Sequence, residues 1–125
     1  MDVSSRRLFS GCSNGAMVVS DPDSRKIIAR LPIAAWVGGI AFDPDLHLAF
    51  AASSAGILTI VREESPDKFT IVEKVPTKAG AHTMTIDPKS HTALLVGSDP
   101  LRSNSRLTTE IVPNALGLLV VGRQQ

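Results

Sequence analysis

One short pattern occurs twice along the chain and constrains its fold more than any other feature. An apolar alternating stretch is followed by Asp-Pro, then by a histidine, then by a second apolar stretch. The two copies turn at Asp43-Pro44 and Asp87-Pro88, and a histidine follows each aspartate by four residues. A fainter copy begins at Asp2, so the three aspartates lie 41 and 44 residues apart. We therefore expect one structural unit to recur about every 40–45 residues.

Each unit contains short segments in which apolar and polar residues alternate, a pattern typical of half-buried β-strands separated by turns. Asn14-Gly15 lies between two such segments and is a strong hairpin signal. A period of roughly 40–45 residues made of short strands is typical of β-propeller blades. The predicted strands cover 7–12, 17–21 and 27–33 in the first repeat; 37–43, 47–53, 57–63 and 69–75 in the second; and 81–87, 92–98 and 116–122 in the third.

These observations predict an all-β fold, a partial β-propeller of four-stranded antiparallel blades. We expect a single partial propeller domain over 1–125, with a complete repeat at 36–79 and incomplete repeats at 1–35 and 80–125. Closed propellers have about four to eight blades. The chain is therefore expected to be a fragment of a larger ring.

The last repeat departs from the pattern of the second. The run 116–122 is expected to be a third strand with no fourth strand after it, and 101–111 is the one stretch with a helical pattern. A chain with two open ends exposes apolar faces and strand edges. We therefore expect self-association through the open blade edges.

The composition fits a folded protein and favours neither nucleic acid nor membrane as a partner. Apolar residues make up 43% of the chain and charged residues 20%, as in globular domains. The formal net charge is +1, and basic residues are scattered among acidic ones instead of forming a stripe. No apolar run reaches the roughly 18 residues of a membrane span. The single cysteine, Cys12, leaves the redox compartment open.

A resemblance to a known family is carried by the segments 7–15, 43–47, 61–69, 87–91 and 118–123. Together they resemble the YVTN-type β-propeller repeat family, related in fold to the WD and NHL propellers. The resemblance implies that this chain corresponds to the C-terminal third of a longer, seven-bladed, often exported bacterial protein. The compartment stays open: cytoplasmic for the sequence as it stands, periplasmic or secreted if a longer form carries an export signal.

The two repeated histidines, His47 and His91, are expected to have a structural role. An Asp-Pro turn followed by a polar residue closes a chain reversal, because the aspartate accepts backbone N–H groups and proline fixes φ. Equivalent turns of adjacent blades are expected to lie well apart on the rim, so we predict no metal site here.

Three other residues are the candidate binding site: Trp36, Lys78 and His82. Trp36 and His82 occupy equivalent connections between one blade and the next, on the face where propellers usually bind ligands. An indole for stacking and cationic side chains for an anion or carboxylate fit an unknown protein or small-molecule ligand on this loop face. The alternative interpretation is that Trp36 packs as a plug and His82 is an ordinary exposed loop residue.

Catalytic motifs are absent from the sequence: it contains no Gly-rich phosphate loop, no Cys-x-x-Cys, no His-Glu-x-x-His and no Gly-x-Ser-x-Gly. We therefore predict a non-catalytic binding or scaffold propeller, with no catalytic residues and no cofactor. The alternative is a metal-dependent enzyme, because some propellers that this chain resembles are lactonases or other hydrolases. That chemistry requires several acidic or amide side chains that converge from different blades.

Overall fold

The computed structural model describes residues 1–97, 107–112 and 116–122. Among them, no helix has the length and apolarity needed to cross a membrane. The described chain consists of turns, loops and eleven β-strands. The strands are β1 (Leu8–Cys12), β2 (Ala16–Asp21), β3 (Lys26–Pro32), β4 (Val37–Asp43), β5 (Leu48–Ser53), β6 (Ile57–Ser65), β7 (Lys68–Pro76), β8 (Thr83–Asp87), β9 (Thr92–Gly97), β10 (Leu107–Val112) and β11 (Leu116–Val121).

The strands form three antiparallel sheets, each built from one repeat of the sequence. The first sheet has the order β1-β2-β3, the second β4-β5-β6-β7, and the third β8-β9-β11-β10. Tight turns join consecutive strands in the first two sheets, so strand pairing there follows chain order. The predicted all-β class with antiparallel sheets is confirmed.

The outer half of the third sheet differs from the sequence prediction. β11 takes the third place in the sheet, as predicted, but β10 pairs with it as a fourth strand, so the expectation that no fourth strand is present was wrong. The prediction of a helix over 101–111 was also wrong for 107–111, which belong to β10. Residues 101–106 lie outside the described residues. The segment is rich in threonine, isoleucine and valine, and such β-branched side chains favour a pleated strand. Its polar residues concealed this strand in the sequence.

Two apolar interfaces hold the three sheets face to face. In the first interface, between the first and second sheets, Phe9, Met17, Val19 and Ile33 pack against Ala49, Ala51 and Val61. In the second interface, between the second and third sheets, Phe50, Ala52, Leu58, Ile60 and Val75 pack against Ala81, Ala93, Leu95 and Val121.

The strand β5 contributes to both interfaces and is buried along almost its whole length. Successive side chains of a strand point to opposite faces of its sheet. Ala49 and Ala51 therefore face the first sheet, while Phe50 and Ala52 face the third. Because both faces are covered, the first five residues of β5 are all apolar instead of alternating with polar ones.

The three stacked sheets present two opposite edges, which we name by their connections. The turn edge consists of the four turns 2–6, 21–25, 43–47 and 87–91. The loop edge consists of the tight turns 13–15 and 54–56 together with the connections 33–36 and 77–82. The predicted binding residues lie on the loop edge, and the repeated histidines lie on the turn edge.

Candidate functional site

The loop edge is built from two tight turns that have the same backbone geometry. Gly15 donates its backbone N–H to the Cys12 carbonyl oxygen at 3.0 Å, and Gly56 donates to that of Ser53 at 3.0 Å. The two glycines have φ values of 90° and 88°, which L side chains adopt only with strain. The Asn-Gly and Ala-Gly sequences thus specify the same turn in successive repeats.

Each turn holds the connection that leads to the next sheet. The N–H of Trp36 donates to the Ser13 carbonyl oxygen at 3.0 Å, and the N–H of Gly80 donates to that of Ser54 at 2.9 Å. Trp36 and Gly80 are therefore equivalent positions, 44 residues apart. The Ser54 N–H also donates to the Trp36 carbonyl oxygen at 3.1 Å, so hydrogen bonds join the two connections through this turn.

Trp36 has a backbone conformation that a tryptophan rarely adopts. Its φ is 60°, while the equivalent Gly80 has a φ of 90°. The left-handed region costs a non-glycine residue roughly 1–2 kcal/mol. The side chain is 68% exposed, so burial of the indole does not offset this cost. The structure therefore presents a large aromatic surface on a hydrogen-bonded backbone at the loop edge.

His82 lies next to the first residues of β4. Its position is equivalent to that of Gly38, and its ring packs on that glycine: a Cβ atom added to Gly38 would lie 2.3 Å from Cδ2 of the imidazole. The Nδ1 atom of His82 donates to the Gly80 carbonyl oxygen at 2.9 Å. This bond places the proton on Nδ1, so Nε2 of the neutral ring is an acceptor, and only the imidazolium would donate from Nε2.

Lys78 is half-buried in the same connection as His82, and its carbonyl oxygen accepts the Ala81 N–H at 3.0 Å. The backbone segments of Trp36, Lys78 and His82 are thus linked into one edge by the hydrogen bonds described above. The role of these three residues in binding stays a prediction. What the sequence did not reveal is that Trp36 has a left-handed backbone and that His82 packs on Gly38.

The turn edge repeats one hydrogen-bonded turn four times. In each copy an aspartate Oδ1 accepts the backbone N–H of the residue two positions later, which is the geometry of an Asx turn. The fifth residue of each turn has a positive φ between 54° and 60°. The aspartates are Asp2, Asp21, Asp43 and Asp87, and the fifth residues are Arg6, Arg25, His47 and His91.

Two consecutive turns of this edge are in direct contact across the second interface. The Nδ1 atom of His91 donates to Oδ2 of Asp43 at 2.7 Å, and Asp43 is 0% exposed. The expectation that equivalent turns lie well apart was therefore wrong for this pair. The left-handed residue that ends the later turn directs its imidazole back to the preceding sheet. The regular spacing of aspartate and histidine was the signal for this contact.

The first interface contains the equivalent pair with one additional carboxyl group. The side-chain ligand atoms of Asp2, His47 and Glu63 all lie within 4.8 Å of one another. Burial raises the pKa of Asp2, but hydrogen bonds from Ser5 and Ser4 outweigh it and lower the pKa to about 2. Burial, followed by the hydrogen bond and charge of Asp2, raises the pKa of Glu63.

These groups have the donor types that bind metal ions, as do Asp43, Asp45 and His91. The oxygens of Asp2 and Asp43 are already acceptors within the fold. Oδ1 of Asp2 accepts the N–H and the hydroxyl of Ser4, and Oδ2 of Asp43 accepts His91. We interpret both groups as links between neighbouring sheets, and the expectation of no metal site stays a prediction.

One cleft of the described residues lies between the second and third sheets and has a volume of ≈ 320 Å³. A second, ≈ 290 Å³ cleft lies at the turn edge beside Ser5, His47 and Glu63. Trp36, Lys78 and His82 line neither of these two clefts. The residues that line the larger one are Leu46, Leu48, Phe50, Ile60, Arg62, Val72, Glu73, Val75, His91, Val121 and Gly122.

Comparison with known proteins supports the propeller fold. No family model and no curated protein matches the sequence. Among solved structures, U3-55K is similar with a TM-score of 0.68 at 10% identity, and the WD40 repeats of RRP9 with 0.68 at 11%; each match covers 94% of this chain and 39% of the other. Kuenenia stuttgartiensis hydrazine synthase is similar with a TM-score of 0.65 at 15% identity, over 76% of this chain and 27% of that one.

The chain thus spans between about a quarter and two fifths of the length of these structures. At such low identity the likeness concerns the fold alone. Stacked antiparallel sheets, one for each repeat, together with these structural matches, show a β-propeller-like fold.

Proposed function

We propose that the chain is a non-catalytic recognition module of a larger β-propeller of the YVTN type, and that it binds its partner at the loop edge through Trp36, Lys78 and His82. The chain then provides a single partial propeller domain, in which the turn edge joins the blades and the loop edge contacts the ligand. The observation that carries the proposal is the exposed, left-handed tryptophan at a position where the next repeat has glycine.

The equivalence of Trp36 and Gly80 argues against a purely structural role for the indole. The same connection with the same hydrogen bond forms in the next repeat with no side chain at this position. The backbone therefore does not require tryptophan, and the left-handed conformation disfavours it. Strained residues often occur at functional sites. Unlike the left-handed His91, which hydrogen-bonds the buried Asp43, Trp36 is 68% exposed.

The chemistry of the edge indicates the class of partner. An exposed indole stacks on a flat apolar or aromatic group. Beside it, Nε2 of His82 accepts a hydrogen bond when the ring is neutral and donates one to a carboxylate when the ring is protonated. A peptide segment that combines an aromatic with an acidic side chain fits both features.

The fluorescence of Trp36 provides the test, because it is the single tryptophan and the chain has no tyrosine. An array of peptides that pair aromatic with acidic residues is probed with the wild-type chain and the Trp36→Gly chain. Peptides that prefer the wild type are expected to shift the emission of Trp36 and to bind roughly tenfold more weakly to His82→Gly.

The matched control is Val72→Ala, which truncates an exposed apolar side chain on β7 and is expected to leave peptide binding unchanged. An array in which no peptide prefers the wild-type chain over Trp36→Gly would contradict the proposal.

The alternative function, a metal-dependent hydrolase-like enzyme, has one observation in its favour: the clustered ligand atoms of Asp2, His47 and Glu63. Calorimetric titration with Ca²⁺, Mg²⁺ and Zn²⁺ separates the two functions. Stoichiometric micromolar binding that is lost in His47→Ala would favour the enzyme. Recognition at the loop edge requires no such binding, and the Asp2 oxygens already accept hydrogen bonds from Ser4 and Ser5.

A further inference from the structure

The third sheet has an accessible face that repeats the pattern of an established interface. The second sheet presents Phe50 and Ala52 to the second interface. Their equivalents 44 residues later, Leu94 and Val96, point away from that interface, because they alternate along β9 with the buried Leu95. Val96 is 40% exposed and Leu94 is half-buried. We call this the open face of the third sheet.

The first sheet has a corresponding accessible face on its opposite side. Leu8 and Ile27 are both paired with Ser20 and therefore share one face of the sheet. Phe9 alternates with Leu8 and packs into the first interface, so Leu8 and Ile27 point away from that interface. Both side chains are exposed, and Ile27 is 53% accessible. The described structure thus presents one apolar face at each end of the stack.

The turn edge shows which charged groups meet when two sheets stack. In both interfaces an aspartate of one sheet lies close to the fifth residue of the next sheet's turn: Asp2 with His47, and Asp43 with His91. Asp87 holds the same place on the third sheet. Hydrogen bonds from Ser90 and the Lys89 backbone lower its pKa, so it is an anion at neutral pH.

The first sheet has a cation in the place that complements Asp87. Arg6 is the fifth residue of the turn 2–6 and has a φ of 55°, close to the 54° of His47 and the 56° of His91. Its guanidinium pairs with Asp23, but more than half of each side chain in that pair is exposed. Such surface pairs exchange partners at little cost.

We propose that two copies of this chain associate head to tail, with the open face of the third sheet of one copy against the first sheet of the other, and with Arg6 of the second copy at Asp87 of the first. The contact continues the two interfaces within the chain and pairs opposite charges at the turn edge. An interface between different faces of two identical chains propagates into a ring or an open assembly. The proposal is independent of recognition at the loop edge.

The test is sedimentation velocity of the full chain over a concentration series, with circular dichroism to confirm that each variant is folded. The wild type is expected to self-associate, and Asp87→Arg and Arg6→Asp are each expected to weaken association at least tenfold, because each places like charges together. An equimolar mixture of the two variants is expected to associate as the wild type does, since every contact in an alternating assembly again pairs opposite charges.

Two further variants make the outcome decisive. Arg25→Asp changes the same charge at the equivalent left-handed position of another turn, and we expect it to associate like the wild type. Thr85→Lys places a charge on the open face without touching a turn, because Thr85 is paired with Leu94, and we expect it to weaken association at least tenfold. A wild-type chain that stays monomeric throughout the series, or folded variants that do not restore association when mixed, would overturn the proposal.

Discussion

The turn edge and the loop edge share a repeated backbone but differ in how their side chains repeat. At the turn edge the side chains recur with the backbone: aspartate begins each turn, and arginine or histidine ends it with a positive φ. At the loop edge the hydrogen bonds recur, but Trp36 is replaced by Gly80, and Gly38 by His82. Side chains that recur across all copies support the fold, and side chains that differ within a constant frame are available for recognition.

The energetics of the two edges explain this difference. At the turn edge, the Asp43 carboxylate is buried and accepts two backbone N–H groups and an imidazole, so each bond compensates for desolvation. At the loop edge, the connecting backbone N–H groups are satisfied by carbonyl oxygens of neighbouring turns. The His82 ring donates to the Gly80 carbonyl oxygen from an exposed position, so less desolvation has to be compensated there. We therefore expect substitutions at the turn edge to lower the free energy of unfolding more than substitutions at the loop edge.

The largest expected effect comes from Asp43→Ala, compared with Asp87→Ala in the equivalent turn. Loss of Asp43 leaves the His91 imidazole and two backbone N–H groups without their acceptor, and we expect it to lower the free energy of unfolding by about 2–4 kcal/mol. Asp87 makes only solvent-exposed hydrogen bonds within its own turn among the described residues, so we expect Asp87→Ala to cost clearly less than Asp43→Ala. Urea unfolding measures both, and equal losses would contradict the distinction.

The next largest expected effect comes from substitution of Gly38 and Gly39, the second and third residues of β4. A Cβ atom on Gly39 would lie 2.8 Å from the His82 carbonyl oxygen, so β8 must move, and we expect Gly39→Ala to cost about 1–3 kcal/mol. On Gly38 the added Cβ meets the His82 ring instead. In the His82→Gly background, Gly38→Ala is therefore expected to lose most of its cost in urea unfolding, whereas Gly39→Ala keeps its own. If Gly38→Ala and Gly39→Ala both keep their full cost in this background, the His82 ring does not pack on Gly38 as described.

A smaller expected effect is a pH dependence of stability that arises from the two carboxyl groups of the first interface, Asp2 and Glu63. The pKa of Glu63 is raised above its usual 4.5 in the folded chain, so its contribution to stability is complete below that value and is lost as pH rises through the folded pKa. Asp2 has the opposite sign: its lowered pKa of about 2 adds stability above 3.8, which is lost as pH falls. We expect Glu63→Gln to match the wild-type Tm near pH 4 and to exceed it by a few degrees at pH 7.

The matched control for that measurement is Glu64→Gln, which changes the exposed neighbour of Glu63 and is expected to shift Tm equally at both pH values. The same pH-independent shift in Glu63→Gln would show that the two carboxyl groups at the first interface do not repel each other.

The smallest expected effect is that of Trp36→Gly on stability. Release of the left-handed strain is offset by the greater freedom of glycine in the unfolded chain, so we expect a change within about 1 kcal/mol. Thermal and urea unfolding measure it. A loss well above that range would favour the interpretation of Trp36 as a packing plug and would remove the contrast between the two edges.

The sequence predicted the local features of this fold and missed the long-range ones. Alternation, the Asn-Gly signal and the Asp-Pro turns are properties of a few consecutive residues, and they located ten of the eleven strands. The strand β10 was missed because its polar residues interrupt the apolar alternation, although it pairs with the neighbouring β11. The contact of His91 with Asp43 crosses between sheets, and the spacing alone did not show how closely adjacent turns approach.

The same reasoning placed the candidate binding residues on one edge of the stacked sheets, but it did not predict their conformations or contacts. Equivalence of the connections between blades placed Trp36 and His82 on one face. The positive φ of Trp36 and the stacking of His82 on Gly38 arise from backbone conformation and from a neighbouring strand. Neither is visible in the identity of the residues.

A double-mutant cycle on Asp43 and His91 measures whether the turn edge joins neighbouring sheets through paired aspartate and histidine. With alanine at each position, we expect a coupling energy of about 1–3 kcal/mol in urea unfolding. The reference cycle of Asp43 with His82, on the opposite edge, is expected to stay within about 0.5 kcal/mol of zero. Independent, additive losses at Asp43 and His91 would contradict this link between the sheets.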